Sequence, residues 1–492
     1  MEQSKYYLGF TSLNQEITKK QLKIEGTLPS WLRGTLLRTG PAQFEVEKQK
    51  YNHWFDGLAM LFAFKFSEDH ISYSNRFLQS ASYCEAMETK KIAHAEFGTT
   101  PSRSFFERIK AIFNPHLTDN CNVSINKFAD EIIALTETRF PIRFDPETLE
   151  TIGKYEYDEN PGDSLSGRIS TAHPHFDFER NCHYSYLTNL GRQSSYCIFS
   201  MDVKTGHQRI ISTISAKHPS YMHSFGMSKK YLIITQIPLV IYPLKLMFST
   251  TPFVSNLKWK PNRGVQFIII EKETGKIINK IDYDAFFAFH HVNAFEERGD
   301  ENVVNLDIIT YPDASIIDQL YLKYLRSSAP VDATGILTRF KIDLKNSKEI
   351  GKEILSKVPM DLPRINYGMY SGIPYRFVFA AGSENNSENN DFFTNLVKVD
   401  LEHDTSMLWS SSHCYPGEPV FVASPNAQKE DDGVILSLIF DAKEEKSFLL
   451  ILDASSWKEI TRVNLPHCIP FGFHGNYFTE LSGDLSFLHL HR

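Results

Sequence analysis

The sequence predicts an all-β chain folded as a seven-bladed β-propeller, with loops and short helices capping one face. Two observations carry that expectation. A hairpin pattern recurs seven times, and the segments between the hairpins are long enough to supply loops. A third observation concerns chemistry. Four histidines in distinct local settings fall in different intervals between the hairpins, and radial closure of a propeller carries such segments to one axis.

Each hairpin is an alternating apolar run, a polar turn rich in Asp, Glu, Thr, Gly, Ser and Lys, and a second β-prone run. In chain order the first is Leu61 to Phe66, turning at Ser67-Glu-Asp into His70. Ile142 to Ile152, Tyr196 to Gly206 and Phe267 to Ile278 repeat the pattern. Leu337 to Asn346, Leu396 to Asp404 and Leu449 to Lys458 complete it. The turns fall near residues 68, 145, 203, 272, 344, 401 and 454. That spacing exceeds the ~40–50 residues of a common blade, and the excess is read as loops forming a binding face. A large β-sandwich is the competing arrangement from periodicity alone. No composition shift divides the chain, so residues 1–492 are read as one domain, with the polar tract from Ser383 to Asp391 as a solvated loop.

The chain is 42% hydrophobic and 13% aromatic, enough for a large core. A net charge of -7 disfavours nucleic-acid binding, because no basic domain is present to neutralise phosphates. Six cysteines are scattered without a Cys-x-x-Cys, which fits reduced thiols in a cytosolic protein. The N-terminal Met-Glu-Gln-Ser-Lys-Tyr-Tyr lacks a basic region followed by an apolar stretch, so no signal peptide is expected. Tyr231 to Ser249 is too interrupted by Gln236, Pro238, Pro243 and Lys245 to span a bilayer. The expected location is cytoplasmic, with peripheral attachment at a membrane surface.

The four histidines are His173, His223, His290 and His474, separated by 50, 67 and 184 residues. Four neutral imidazoles without a thiolate suit a first-row metal such as iron, copper or zinc. Their spacing matches no zinc finger and no helical His-Glu-x-x-His motif. A lone histidine in an apolar segment is more often a packed core residue than a ligand, and the chain holds 18. His175 and His291 lie beside better candidates, and a metal is expected to use one of each pair. A ligating imidazole usually donates its other N–H to a carboxylate or carbonyl. Glu137, Asp361 and Glu418 sit in strand-like segments and are candidates for that role; surface acids at strand ends are the alternative.

Beyond these residues, an ordered set of motifs resembles the carotenoid cleavage oxygenase family. The branch is that of the β-carotene dioxygenases and the retinal pigment epithelium isomerohydrolase. The motifs run from about Gly34 to the C-terminus: Arg38-Thr-Gly-Pro, Trp54-Phe-Asp-Gly, Glu96-Phe-Gly-Thr, Thr136-Glu-Thr and Asp145-Pro-Glu-Thr-Leu-Glu-Thr. They continue through the histidine segments to Ile365-Asn-Tyr, Glu418-Pro-Val-Phe-Val and Glu430-Asp-Asp-Gly-Val. The resemblance implies a seven-bladed propeller with non-haem Fe(II) held on the axis by His173, His223, His290 and His474. His290 rather than His291 matches the family ligand, three residues before Asn293. Glu137, Asp361 and Glu418 match the acids behind the ligands. Thr136 matches a threonine near an open metal position. No organic cofactor is expected.

Two positions depart from the family pattern. Asp361 stands where Glu is usual, which shortens the reach by about 1.5 Å. Either the backbone shifts, a water bridges, or that imidazole is held less firmly. Losses of this kind commonly cost about 10–100-fold in metal affinity or activity. Phe62 stands where a non-ligand His is expected.

The resemblance implies that O2 is inserted across one double bond of an apolar polyene, a carotenoid or apocarotenoid, giving two carbonyl products; a retinal-forming cut is within the branch. Retinyl-ester isomerohydrolase, stilbene cleavage and a non-enzymatic carotenoid-binding propeller are the alternatives. Aromatic loop residues, drawn from 37 Phe, 22 Tyr and 5 Trp, are expected to line the tunnel. Peripheral membrane contact is expected through residues 104–117 and 239–253. In the first, Phe105, Phe106, Ile109, Ile112 and Phe113 fall near one helical face, with Arg108 and Lys110 outside it. The second is similarly apolar with one lysine.

Overall fold

The computed structural model describes residues 5–101, 118–157, 169–247, 249–327, 331, 335–346, 350–383 and 392–481. Its strands form seven sheets of four to six strands, arranged as the blades of a propeller. Every predicted hairpin is an adjacent antiparallel pair within its own blade. In the first, Leu58–Phe66 pairs Ile71–Phe77. In the third, Ser195–Asp202 pairs Gln208–Ser215, and in the sixth Asn395–Asp400 pairs Thr405–Trp409.

The local chemistry of the turns explains their recurrence. Asp145, Asp202, Asp343, Asp400 and Asp441 each accept, on Oδ1, the backbone N–H groups two and three residues on. Such a carboxylate imitates a backbone turn and stops the first strand. In the Glu271-to-Lys276 turn, Gly275 has φ +69°, and a Cβ there would collide with the Ile211 carbonyl. Glycine is therefore required by both conformation and space.

The two ends of the chain close the ring. Lys23–Gly26 adds to the outer edge of the last blade by pairing Glu459–Asn464. Gly475–Phe478 adds to the inner edge of the first blade by pairing Gly34–Gln43. This closure matters for chemistry, because His474 directly precedes Gly475–Phe478. The other three histidines also flank innermost strands. His173 follows Ile169–Ser170, His223 precedes Gly226–Met227, and His290 precedes His291–Glu297.

Short helices cover one end of a central cavity. Leu246 of Pro243–Met247 and Ile316 of Ser315–Gln319 line it, as does Leu320, next in the chain. Beneath them Phe10, Trp54, Phe392, Phe471 and Phe473 pack edge-on and tilted against one another. Phe62 is buried in the first blade.

Of the two expected membrane segments, residues 104–117 lie outside the described residues. The second needs correction. Leu239–Ile241 is a buried strand paired with Leu257–Trp259, so its side chains belong to the core. Backbone pairing with Leu257–Trp259 turns those residues inward. Among the described residues of this segment, the large apolar side chain that stands exposed is Leu244, at 59%, in the Pro243–Met247 helix that follows. Among the described residues no helix is long and apolar enough to cross a membrane.

Candidate metal centre

His173, His223, His290 and His474 meet in space, with one ring nitrogen from each within 4.8 Å of the others. Small polar side chains lock the segments that carry them. Thr171 Oγ1 accepts from the His173 backbone N–H and donates to the His223 carbonyl, at 3.0 and 2.6 Å. Ser224 Oγ donates to the Phe289 carbonyl and accepts from the His291 N–H, at 2.6 and 2.9 Å. His474 N donates to the Val123 carbonyl.

Three of the four imidazoles are braced from behind. Nδ1 of His223 lies 2.7 Å from Glu137 Oε1, Nδ1 of His290 lies 2.6 Å from Asp361 Oδ1, and Nδ1 of His474 lies 2.8 Å from Glu418 Oε1. A carboxylate only accepts, so each Nδ1 carries the proton and each Nε2 keeps its lone pair. His173 has no carboxylate partner among the described residues. Its Nε2 lies 2.8 Å from that of His223, and those of His290 and His474 lie 3.2 Å apart.

Those short contacts test whether a metal fits. In the His290–His474 pair both protons are committed to carboxylates, so two lone pairs face each other. That is unfavourable unless a cation lies between them. Two nitrogens on adjacent corners of one metal, with bonds of about 2.1 Å, stand about 3 Å apart. The donor set and its spacing therefore fit a metal ion. Burial, then the neighbouring imidazoles, holds His173 well below its usual pKa. Burial likewise lowers His474, to about 4, despite Glu418. Both rings are neutral donors at neutral pH.

The carboxylates are themselves held. Burial alone would raise Glu418, but Arg364, His474 and Arg38 together bring it down to about 2. Burial would raise Asp361 too; His290, the Tyr311 hydroxyl and the Leu362 N–H outweigh it. Tyr221 donates to Glu137 at 3.0 Å. The question raised by the shorter Asp361 is answered by the backbone. It bonds His290 directly, in a strand whose register slips between Asp361 and Arg364, with Leu362 at φ +54°.

A cavity of about 560 Å³ ends on this cluster. His223, His290 and His474 line it with Glu137 and Asp361, and Thr136 lies in the same wall. The rings of Trp54, Phe55, Phe97, Phe289, Phe392 and Phe473 line it as well, among aliphatic and small polar side chains. His175 and His291 face elsewhere. His175 Nε2 bonds the Phe225 carbonyl, and His291 bonds Ser224 and Thr235 through its two ring nitrogens.

Sequence reasoning missed the groups that hold the carboxylates. Arg38 was visible only as part of a motif, and Arg364, Tyr221 and Tyr311 carried no signal of spacing or composition. Each reaches its carboxylate across 50 or more residues.

The family described as retinal pigment epithelial membrane protein matches residues 10–479. The chain is 31% identical to the Mus musculus β,β-carotene 15,15'-dioxygenase, over 95% of this chain and 90% of that one. It is 32% identical to a mitochondrial carotenoid-cleaving dioxygenase of Mustela putorius furo, over 93% of each. Among solved structures, cobalt-substituted Synechocystis apocarotenoid oxygenase superposes with a TM-score of 0.84 at 29% identity, covering 96% of this chain and 98% of that one.

Proposed function

This chain belongs to the family of the retinal pigment epithelial membrane protein, and from that premise we propose how its axial site works. The protein is an oxygenase that cleaves carotenoids. In our reading His173, His223, His290 and His474 hold Fe(II). The ion, when bound, supplies the one-electron chemistry that lets dioxygen react with a carbon–carbon double bond. Both oxygen atoms end in the two carbonyl products, one on each former alkene carbon.

The residues of the chain do the rest. Glu137, Asp361 and Glu418 keep Nδ1 protonated and aim Nε2 of their imidazoles at the axis. The aromatic wall receives the polyene and excludes water, and its ring faces stabilise positive charge developing along the conjugated chain. Thr136, next to Glu137, bounds the space where the alkene approaches the cluster. The observation that carries the reading is an apolar cavity closed at its inner end by three of the four converging imidazoles.

The test is incubation of iron-loaded protein with β-carotene and an apocarotenal in air, following oxygen uptake and products by chromatography. Carbonyl products are expected with one O2 consumed per bond cut. Carbonyl products without oxygen uptake overturn the reading, and a cis alcohol from a retinyl ester would replace it with isomerohydrolase activity.

The substrate's membrane residence supports peripheral docking at the mouth. Leu244 is exposed two residues from Leu246, which lines the cavity. Leu244→Asp should lower co-sedimentation with phosphatidylcholine vesicles severalfold; unchanged sedimentation removes this turn from the contact.

A further inference from the structure

One acidic side chain in the cavity wall takes no part in the metal cluster. Among the described lining residues, Glu96 is the one carboxyl not bonded to a cluster imidazole. It is 5% exposed. Thr118 Oγ1 donates to its Oε1 at 2.8 Å. Thr118, Asn120 and Thr100 line the same cavity.

The nearby acids are already committed. Asp56 accepts from the His53 N–H, the Gly98 N–H and the Thr99 hydroxyl. Asp119 accepts from the Ala81 and Ser82 N–H groups and the Ser82 hydroxyl. Both are tied to the scaffold. Asn120 is tied as well, donating to the Asp56 and Gly57 carbonyls and accepting from the Ala59 N–H. Glu96 is held by side chains, the Thr118 hydroxyl with the Asn120 amide beside it. A buried carboxyl beside an apolar ligand costs free energy unless it finds a polar partner. A pure hydrocarbon supplies none.

Resting on the carotenoid-cleaving reading above, we propose that Glu96 and Thr118 form a polar subsite for the oxygenated end group of the substrate. The polyene this cavity prefers then bears a hydroxyl or carbonyl oxygen at the end that Glu96 receives. Burial, reinforced by the Asp56 and Asp119 charges, pushes the Glu96 carboxyl well above its ordinary range. In that protonated form, with Thr118 donating to Oε1, the other oxygen donates to the ligand. The subsite is also linked to the metal centre along one wall. Thr138 Oγ1 donates to the Thr118 carbonyl, and Thr138 lies one residue beyond Glu137. An end group held at Glu96 therefore sets how far along the polyene the cluster meets it. Glu96 acts here on specificity and positioning.

The test compares kcat/KM for three substrates on the iron-loaded protein: β-carotene, its ring-hydroxylated counterpart zeaxanthin, and an apocarotenal. Wild type is expected to favour an oxygenated substrate over the hydrocarbon by tenfold or more, the scale of one net hydrogen bond in a dry site. Glu96→Leu should reduce that ratio to near one, whereas Glu96→Gln, which still donates, should keep most of it. Thr118→Val gives a second reading if Glu96→Leu does not fold, and should lower the ratio severalfold. An equal loss on all substrates, or a wild type without preference, overturns the subsite. Absence of cleavage on every substrate would instead count against the carotenoid-cleaving reading.

Discussion

At His474 the bracing carboxylate lies between two arginines, whereas at His290 it is met by a phenol and a backbone N–H. Glu418 is fully buried; Arg38 Nη1 stands 3.3 Å from it, Arg364 Nη1 stands 3.5 Å away, and the Gly475 N–H donates to it at 2.9 Å. Asp361 accepts from the Tyr311 hydroxyl at 2.6 Å and from the Leu362 N–H at 2.8 Å. Both arrangements keep a buried carboxylate ionised and an imidazole oriented. They differ in what is stranded when the carboxylate is lost. At Glu418 two guanidinium groups lose their counter-charge, one of them, Arg38, almost wholly buried. At Asp361 the loss leaves a neutral hydroxyl and an amide. The Glu418 brace therefore bears on the fold's stability, and the Asp361 brace mainly on the orientation of His290.

The largest effect should come from removing an imidazole held by either brace. His290→Ala and His474→Ala should each reduce iron from about one per chain to near zero by elemental analysis; full retention with activity would sink the ligand assignment. Glu418→Gln comes next and separates the two braces. It should destabilise the protein by about 3 kcal/mol in denaturant titration, because it leaves charge buried without a partner. Glu418 has a folded pKa of about 2, below its ordinary 4.5. Its contribution is thus fully present above about pH 4.5 and is lost as pH falls through about 2. The stability gap between wild type and Glu418→Gln should close across that window; a gap independent of pH would break the comparison.

Asp361→Asn should cost less stability but lower iron affinity about 10–100-fold, measured by chelator competition. An equal loss of stability in the two variants would show that the arginines do not distinguish the braces. The smallest effect is expected for Tyr311→Phe, which removes one hydrogen bond to Asp361 at a cost of about 1 kcal/mol. That variant should weaken iron binding only a few fold, and a Glu418-sized loss of stability would contradict the contrast.

Different parts of this molecule were legible in the sequence to different degrees, for physical reasons. The seven hairpins could be read because side-chain alternation and Asp-centred turns are local properties. The inner strands could not, since elements as short as Ile169–Ser170 and Gly226–Met227 hold no alternation to detect. The membrane expectation over 239–253 failed in part because an apolar run reads alike whether it is buried or exposed. The aromatic wall was anticipated as a class, but its members were not, because most Phe, Tyr and Trp residues pack in the core.

The sequence by itself determined the blade count, the four histidine segments and, through motif resemblance, the three acids beside them. Only the tertiary structure decided which side chains meet. His290 enters the cluster while His291, one residue on, is turned to Ser224 and Thr235, because successive side chains in extended backbone point to opposite faces. It also decided that Asp361 reaches His290 through a bulged strand, and that Arg38 lies beside Glu418, 380 positions away. The Arg38–Glu418 contact joins the first and last blades, which Lys23–Gly26 and Gly475–Phe478 bring together, and no local pattern encodes a distance across a closed ring.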